Sequence, residues 1–454
     1  MAWRQVRIYG LCFAAVACLV VTSARAQQGN GVVVDADGVL RTRVFYDPNG
    51  MLTRQRLEAA RATLAPDLLR PSKMRKVSLN RLEAAAAEHL ATGQGMPDEM
   101  RYLAGMTRIQ HVFLYPETGD LVIAGPAEGF APNVTGRVVG MHTGRAVLEL
   151  QDLVVALRAF PPGERGTPAV VCSIDPTPEG LQRMQQFLIN ISGRITPGDA
   201  NRIANGLKES LGQQNVRIEG ISPRTHFAQV MVEADYRMKL IGIGLEEPPV
   251  RIPSYVSRAN PRDVARNALQ RWYFTPNYEC LRVSEDELAV ALEGNGVQLV
   301  GEHQLVQAAG DRVTSGRVDM ASQAFTQAFT RNYADLALRE PVYAQLRNLI
   351  DMTIAAAFIQ QQDYYGRIGW EMGVFGCEEQ FPVETYPEPK TVESAVNVVW
   401  RGNTLMTPIG GGVQIEPALA LSEGALLPDD EGTVAAMREQ IDIRQVDPSI
   451  WWWD

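Results

Sequence analysis

Residues 100–130, MRYLAGMTRIQHVFLYPETGDLVIAGPAEGF, constrain this chain more than any other stretch. They read as a helix feeding a hairpin. Residues 111–115 and 121–124 are rich in β-branched and aromatic side chains, and Pro116, Gly119 and Asp120 between them punctuate a turn. Apolar side chains fall on both faces of each strand, the pattern of a strand covered on both sides and not of a half-wet edge. The hairpin is therefore expected in the middle of a sheet.

The first 26 residues stand apart from the fold. Arg4 and Arg7 precede an apolar run at 10–21 and the small-x-small triplet Ala24-Arg25-Ala26, the layout of a secretory signal cut before Gln27. The run is too short for a permanent anchor. Cys18 after Ala15-Val16-Ala17 is a weaker match to lipoprotein processing, because Ala leads the triplet and apolar residues follow. The expectation is export to the periplasm, the cell envelope or the medium. The signal segment holds three arginines and no acid, so the net charge of −9 becomes −12 once it is removed. That balance argues against nucleic acid or an anionic membrane surface as partner, and no later stretch reaches transmembrane length.

About 430 residues exceed one core, so several domains are expected. An N-terminal α+β region at 27–165 surrounds the hairpin and ends at the Pro/Gly cluster 161–166. It opens with turns at Asp35-Ala36-Asp37-Gly38 and Asp47-Pro48-Asn49-Gly50, each read as joining a short strand pair. The first could start a calcium loop, but Val39, Leu40 and Val44 fill the later ligand positions, so a hairpin turn is favoured. Ser78 caps a helix to Leu90 with Leu79, Leu82, Ala86 and Leu90 facing in.

A middle α/β layer at 166–310 runs strand, helix, helix, strand, helix, with Thr177-Pro178 and Thr196-Pro197 as helix starts. Short strands at 271–275, 279–283, 288–292 and 297–301 follow, the last three read as a β-meander. The region 311–454 begins with a helical pair lined by Phe325, Phe329, Tyr333 and Leu336 and by Val342, Leu346, Leu349, Ile350, Ile354 and Phe358. Short strands follow, one of them at 395–400. The expected class is thus α+β (mixed α/β), multi-domain.

The standard catalytic motifs are missing: there is no Gly-x-Ser-x-Gly, no His-Glu-x-x-His, no phosphate loop and no Cys-x-x-Cys. No cofactor or metal is implied. Gly410-Gly411-Gly412 reads as a tight turn between strands and not as an anion cradle. Cys172 is the best nucleophile candidate, because it ends a predicted strand just before a helix, where α/β sheets place their sites. A cysteine in Ala169-Val170-Val171-Cys172 is nonetheless more often a small core hydrophobe. Five histidines, His89, His111, His142, His226 and His303, could supply a base only through tertiary contact, and His226 and His142 are the candidates carried forward. Residues 232–239 place carboxylates and cations on adjacent helix faces, which reads as a solvated face with internal ion pairs. Cys172, Cys280 and Cys377 are too few and too odd in number for a disulfide framework. Trp451, Trp452 and Trp453 close the chain. They either dock on their own domain, the favoured reading, or form a contact surface for a partner.

Residues 100–130 together with SIDPTPEGLQRMQ, HFAQVMVEADYRMKLIGIGLE, REPVYAQLRNLIDMTIAAAF and MTPIGGGVQI resemble an uncharacterised family of exported bacterial proteins, seen mainly in planctomycetes and known as domain of unknown function 1598. The resemblance implies an envelope or extracellular location and brings no catalytic residues with it. Two readings of function stand at this point. The first is a non-catalytic binding or assembly module that contacts an envelope or extracellular protein or polymer. The second is a periplasmic hydrolase using Cys172, or a carboxylate pair, in an interdomain cleft.

Overall fold

A computed structural model of the chain describes residues 27–164, 166–191, 197–259, 268–306, 312–314, 319–397, 409–440 and 442–454. The expected signal segment lies outside them. In chain order the strands are β1 Gln27–Val34, β2 Val39–Asp47, β3 Ser72–Ser78, β4 His111–Tyr115, β5 Asp120–Ala127, β6 Phe130–Pro132, β7 Val138–Gly140, β8 Val170–Pro176, β9 Gln213–Glu219, β10 Ala268–Pro276, β11 Leu281–Val283, β12 Ala289–Leu292, β13 Val297–Val306, β14 Arg312–Thr314, β15 Thr391–Glu393, β16 Ile409–Ile415, β17 Leu426–Pro428 and β18 Trp452–Trp453. The longer helices are α1 Met51–Thr63, α2 Leu79–Ala91, α3 Leu150–Ala159, α4 Pro178–Asn190, α5 Ala200–Leu211, α6 His226–Gly242, α7 Met320–Arg331, α8 Tyr333–Arg339, α9 Pro341–Gln361 and α10 Thr433–Glu439.

Two sheets organise these elements. A nine-stranded sheet runs β1-β2-β15-β9-β8-β16-β10-β13-β14, a seven-stranded sheet runs β17-β11-β12-β4-β5-β3-β18, and β6 pairs with β7 alone. The fold is α+β, as the pattern predicts. Each large sheet takes strands from all three stretches 27–165, 166–310 and 311–454, so long-range pairing ties together what local pattern separates.

The hairpin of residues 111–127 pairs from His111 opposite Ala124 to Tyr115 opposite Asp120. Its first strand, β4, is the middle one of the seven. Val112, Leu114, Leu121 and Ile123 on one face join the main core, whereas Phe113, Tyr115, Val122 and Ala124 on the other meet Ala289, Ala291, Val434 and Ile443. An alternating strand would have placed polar groups in one of these two cores; the unbroken apolar run avoids that.

The middle layer follows the expected order β8, α4, α5, β9, α6, with Thr177 and Thr225 accepting from the amides of Gly180 and Ala228 as helix caps. Thr196 lies outside the described residues. Helix α6 is buried along nearly its whole length and packs against β8, β16 and α9. The first helix of the expected pair is broken at Asn332 into α7 and α8, and α8 packs on α9; Phe325, Phe329 and Tyr333 gather with Tyr343 around Phe274 of β10, ring centroids 5.5 to 6.3 Å apart along the chain of contacts from Phe274 through Phe329 to Tyr333.

Several local readings are corrected. Asp35-Ala36-Asp37-Gly38 is the hairpin turn expected, its Asp35 carboxylate accepting from the amides of Asp37 and Val39. At 47–50, by contrast, no second strand pair forms. Asp47 accepts from the amides of Leu52 and Thr53 and so starts α1, doing for a helix what it was expected to do for a turn. Leu90, at the end of α2, is exposed and not part of its inner face. The meander loses its third strand: β11 and β12 pair with each other and β12 continues to β4, but β13 crosses to the nine-stranded sheet and pairs with β10. The strand expected at 395–400 is not seen over 395–397, and its remainder falls outside the described residues.

The triple glycine is not a turn either. It lies within β16, between β8 and β10. A Cβ on Gly411 would stand 1.9 Å from the carbonyl oxygen of Trp272, and one on Gly412 would stand 1.8 Å from that of Cys172. Only a strand without side chains fits between such close neighbours.

Candidate functional site

A pocket of about 750 Å³ opens where the start of α3, the first two turns of α6, the β6–β7 hairpin and residues 381–386 converge. Its size falls within the range of small-molecule sites, roughly 300–1,000 Å³. Helix geometry sets its polar wall. Glu149 is the residue before α3 and Asp152 lies in its first turn, three positions on, so both carboxylates project from one face of that helix end. His226 is the first residue of α6, just past the Thr225 cap. The packing of α6 against α3 brings these two helix starts together.

There His226 Nδ1 lies 2.8 Å from Asp152 Oδ2, and Nε2 lies 3.6 Å from Glu149 Oε1. Burial alone would lower the His226 pKa, but Asp152 and Glu149 outweigh it and raise the value to about 9. The ring is therefore an imidazolium at neutral pH. It carries this charge at a helix N-terminus, where a cation is disfavoured, so the two acids offset the helix dipole as well as burial. Burial, with Asp152 adding, holds the Glu149 carboxyl above the usual range against the pull of His226.

Around this cluster the other walls carry aromatic and planar polar groups. Gln151 donates to Glu149 at 2.7 Å, the Tyr386 hydroxyl donates to Glu384 at 2.9 Å, and Arg101 donates to the other oxygen of Glu384 at 2.7 Å. The Tyr386 ring lies 5.8 Å from that of His226. Arg137 pairs with Glu233 and donates to Gln345 at 2.8 Å. Among the described residues lining the pocket, Thr135 is the only serine, threonine or cysteine, and its hydroxyl is engaged with Asn133 Oδ1 at 2.7 Å. Among the described residues, one set of side chains has the makings of a metal site: ligand atoms of Glu149, Asp152 and His226 all lie within 4.8 Å of one another.

Of the residues singled out from sequence, His226 and Glu233 of the charged stretch line this pocket, whereas Cys172, His142, His111, His89 and the tryptophans lie elsewhere. Cys172 is sealed in the main core at 0 % exposure, and burial raises its thiol pKa well above the usual value, with Asp235 adding and Lys239 opposing. A protonated thiol without solvent access packs as a small hydrophobe. His142 is exposed in the loop after β7, and its backbone amide donates to Glu128. His111 lies on β4 and stacks on Phe113; His89 is half-buried on α2, and the His303 side chain is outside the description.

The charged face expected at 232–239 is buried and not solvated: Glu233, Asp235, Arg237 and Lys239 are each 4 % exposed or less. Lys239 donates to Asp235 Oδ2 at 2.7 Å and to the carbonyls of Ile174 and Gly411 at 2.8 and 3.1 Å, which ties α6 to β8 and β16. The tryptophan tail docks on its own chain. Strand β18 pairs with β3, Trp451 is buried in the main core, the Arg75 guanidinium sits 4.6 Å from the Trp452 ring, and Asp454 accepts from Arg75 at 2.8 Å.

Glu149, Asp152, Arg101, Tyr386 and Glu384 were not singled out from sequence. Two acids at a helix start read as ordinary dipole complements, and nothing local marks a histidine 74 positions from Asp152 as their partner.

The segment that contains His226 can be compared with known families. Residues 172–255 match the family model described as protein of unknown function, DUF1598. The DUF1598 segment runs from Cys172 in β8 through α4, α5, β9 and α6 to Tyr255. It supplies His226, Gln229 and Glu233 to the pocket, while Glu149 and Tyr386 come from outside it, as does Asp152 behind the His226 ring. No curated protein and no solved structure matches the chain. No helix among the described residues is long and apolar enough to cross a membrane.

Proposed function

We propose that this is an exported binding protein whose ligand is a polar, polyhydroxylated molecule, such as a short stretch or an end of an envelope polysaccharide, held in the pocket beside His226. The composition of that pocket carries the reading. Gln151, Gln229, Glu384 and Arg101 offer planar donors and acceptors next to Tyr102 and Tyr386, which present an apolar ring with a polar tip. A few converging polar groups on a partly apolar concave wall are what orient a small ligand. Export enters through the signal layout of residues 1–26.

Binding is favoured over hydrolysis by the thiol, because the Cys172 named for attack lies in the core. The test is a calorimetric titration of the purified protein with a panel of neutral, amino and acidic di- to tetrasaccharides, repeated with Tyr386→Ala. Saturable binding to one class, weakened at least about tenfold in the variant, is the expected result, equal to about 1.4 kcal/mol. A panel that gives no heat, or binding indifferent to Tyr386→Ala, overturns the reading. Turnover of a bound saccharide would transfer the site to the hydrolase reading, with its carboxylates as the reacting groups.

A further inference from the structure

We propose that Glu149 and His226, with Asp152 orienting the His226 ring, bind a divalent transition-metal ion, with zinc as the reference ion, on the wall of the pocket. The proposal deepens the ligand-site reading, since an ion there would face the same cavity.

Three observations carry it. First, the donors are mixed, one imidazole and one carboxylate, in a cluster with Asp152 whose ligand atoms lie within 4.8 Å of one another, and an imidazole donor suits first-row divalent ions better than magnesium or calcium. Second, the spacing fits. Two ligands each about 2.1 Å from one tetrahedral ion lie roughly 3.4 Å apart, and His226 Nε2 stands 3.6 Å from Glu149 Oε1. Asp152 Oδ2, at 2.8 Å from Nδ1, fixes the ring so that Nε2 points to Glu149. Third, the two direct ligands can be reached: Glu149 and His226 both line the pocket, with side chains 15 % and 14 % exposed.

On binding, the ion takes the Nε2 lone pair and a Glu149 oxygen, and the imidazolium releases its Nε2 proton to solvent. The exchange is of one divalent ion for one proton, with no change in oxidation state.

The test uses the purified protein freed of metal with a chelator and then dialysed. Zinc chloride is titrated calorimetrically in two buffers of different ionisation heat, and cobalt chloride is followed by its visible absorption. One zinc per chain is expected, with about one proton released and a cobalt spectrum of low coordination number. Asp152→Asn, a change to the residue that orients the ligand, weakens zinc by about 10–100-fold; Glu149→Gln and His226→Gln weaken it further and abolish the cobalt spectrum. Glu149→Gln preserves shape and its contact with Gln151, so it decides the matter if His226→Gln fails to fold. No saturable uptake, or uptake undiminished in Glu149→Gln, overturns the proposal. The two readings separate cleanly in Tyr386→Ala, which removes no ligand. A protein that binds zinc but no saccharide refutes the saccharide reading alone, and one that binds saccharide but no zinc refutes the metal site alone.

Discussion

Two histidines, His111 on the central hairpin and His226 at the pocket, are both removed from bulk water, yet they are driven in opposite directions. Burial lowers the His111 pKa to about 4, with only a weak opposing pull from Glu293, so that ring is neutral in the folded protein. The same burial at His226 is outweighed by Asp152 and Glu149, and that ring is cationic up to about pH 9. The difference lies in what the surrounding elements present. The hairpin is enclosed by aliphatic and aromatic side chains on both faces, whereas two helix starts bring acids to His226. A buried cation persists only where the fold supplies its counter-charge, and that is the mark of the pocket.

The contrast can be broken from either side. The largest effect is expected on the apolar side, where Trp451→Ala should cost about 3–5 kcal/mol in chemical denaturation by opening a cavity in the core while leaving pocket binding unchanged. A variant of normal stability would mean that the tail is held by something other than its own chain. Asp152→Ala, on the charged side, should cost up to about 3–5 kcal/mol, because it strips a buried ion pair of one partner, and should bring the His226 titration midpoint well below 9.

The pH dependence of stability sharpens the comparison. Unfolded histidine takes up its proton near 6.5, but folded His111 does so only near 4. Its contribution is therefore present above 6.5 and lost as pH falls from 6.5 to 4, by about 3 kcal/mol at 1.36 kcal/mol per unit. The sign reverses at His226: its contribution is complete below 6.5 and is lost as pH rises through about 9. Urea unfolding from pH 4 to 10 should show both slopes, with His111→Gln flattening the acid one and His226→Gln the alkaline one. Smallest of all, Cys172→Ala should cost about 1–2 kcal/mol as a core truncation without affecting binding in the pocket. A loss of binding at unchanged stability would instead return the thiol to the site.

How much of this was legible in the sequence follows the range of the forces involved. The hairpin and the β8–α6 series could be read because their signals, unbroken apolar runs and Thr caps, are carried by neighbouring residues. The triple glycine misled because its cause is remote: the Trp272 and Cys172 carbonyls lie against it only after β8 and β10 flank β16. The break between the strands expected at 288–292 and 297–301 was visible, but nothing in it says that the chain changes sheets there. Asp47 illustrates a second difficulty, since an acid before Pro-Asn-Gly serves a turn or a helix start equally well. At the site, His226 could be named only beside His142 as a candidate base, and Glu149 and Asp152 became its partners through the packing of α3 on α6.

The most direct test of this account is the titration of the His226 ring, followed by the NMR shift of its Cε1 proton and assigned by its loss in His226→Gln. A midpoint near 9 that falls when Asp152 is replaced is what the carboxylate cluster predicts. A midpoint near 6.5, unmoved by Asp152→Ala, would show that no such cluster grips the ring and would contradict the account of the pocket.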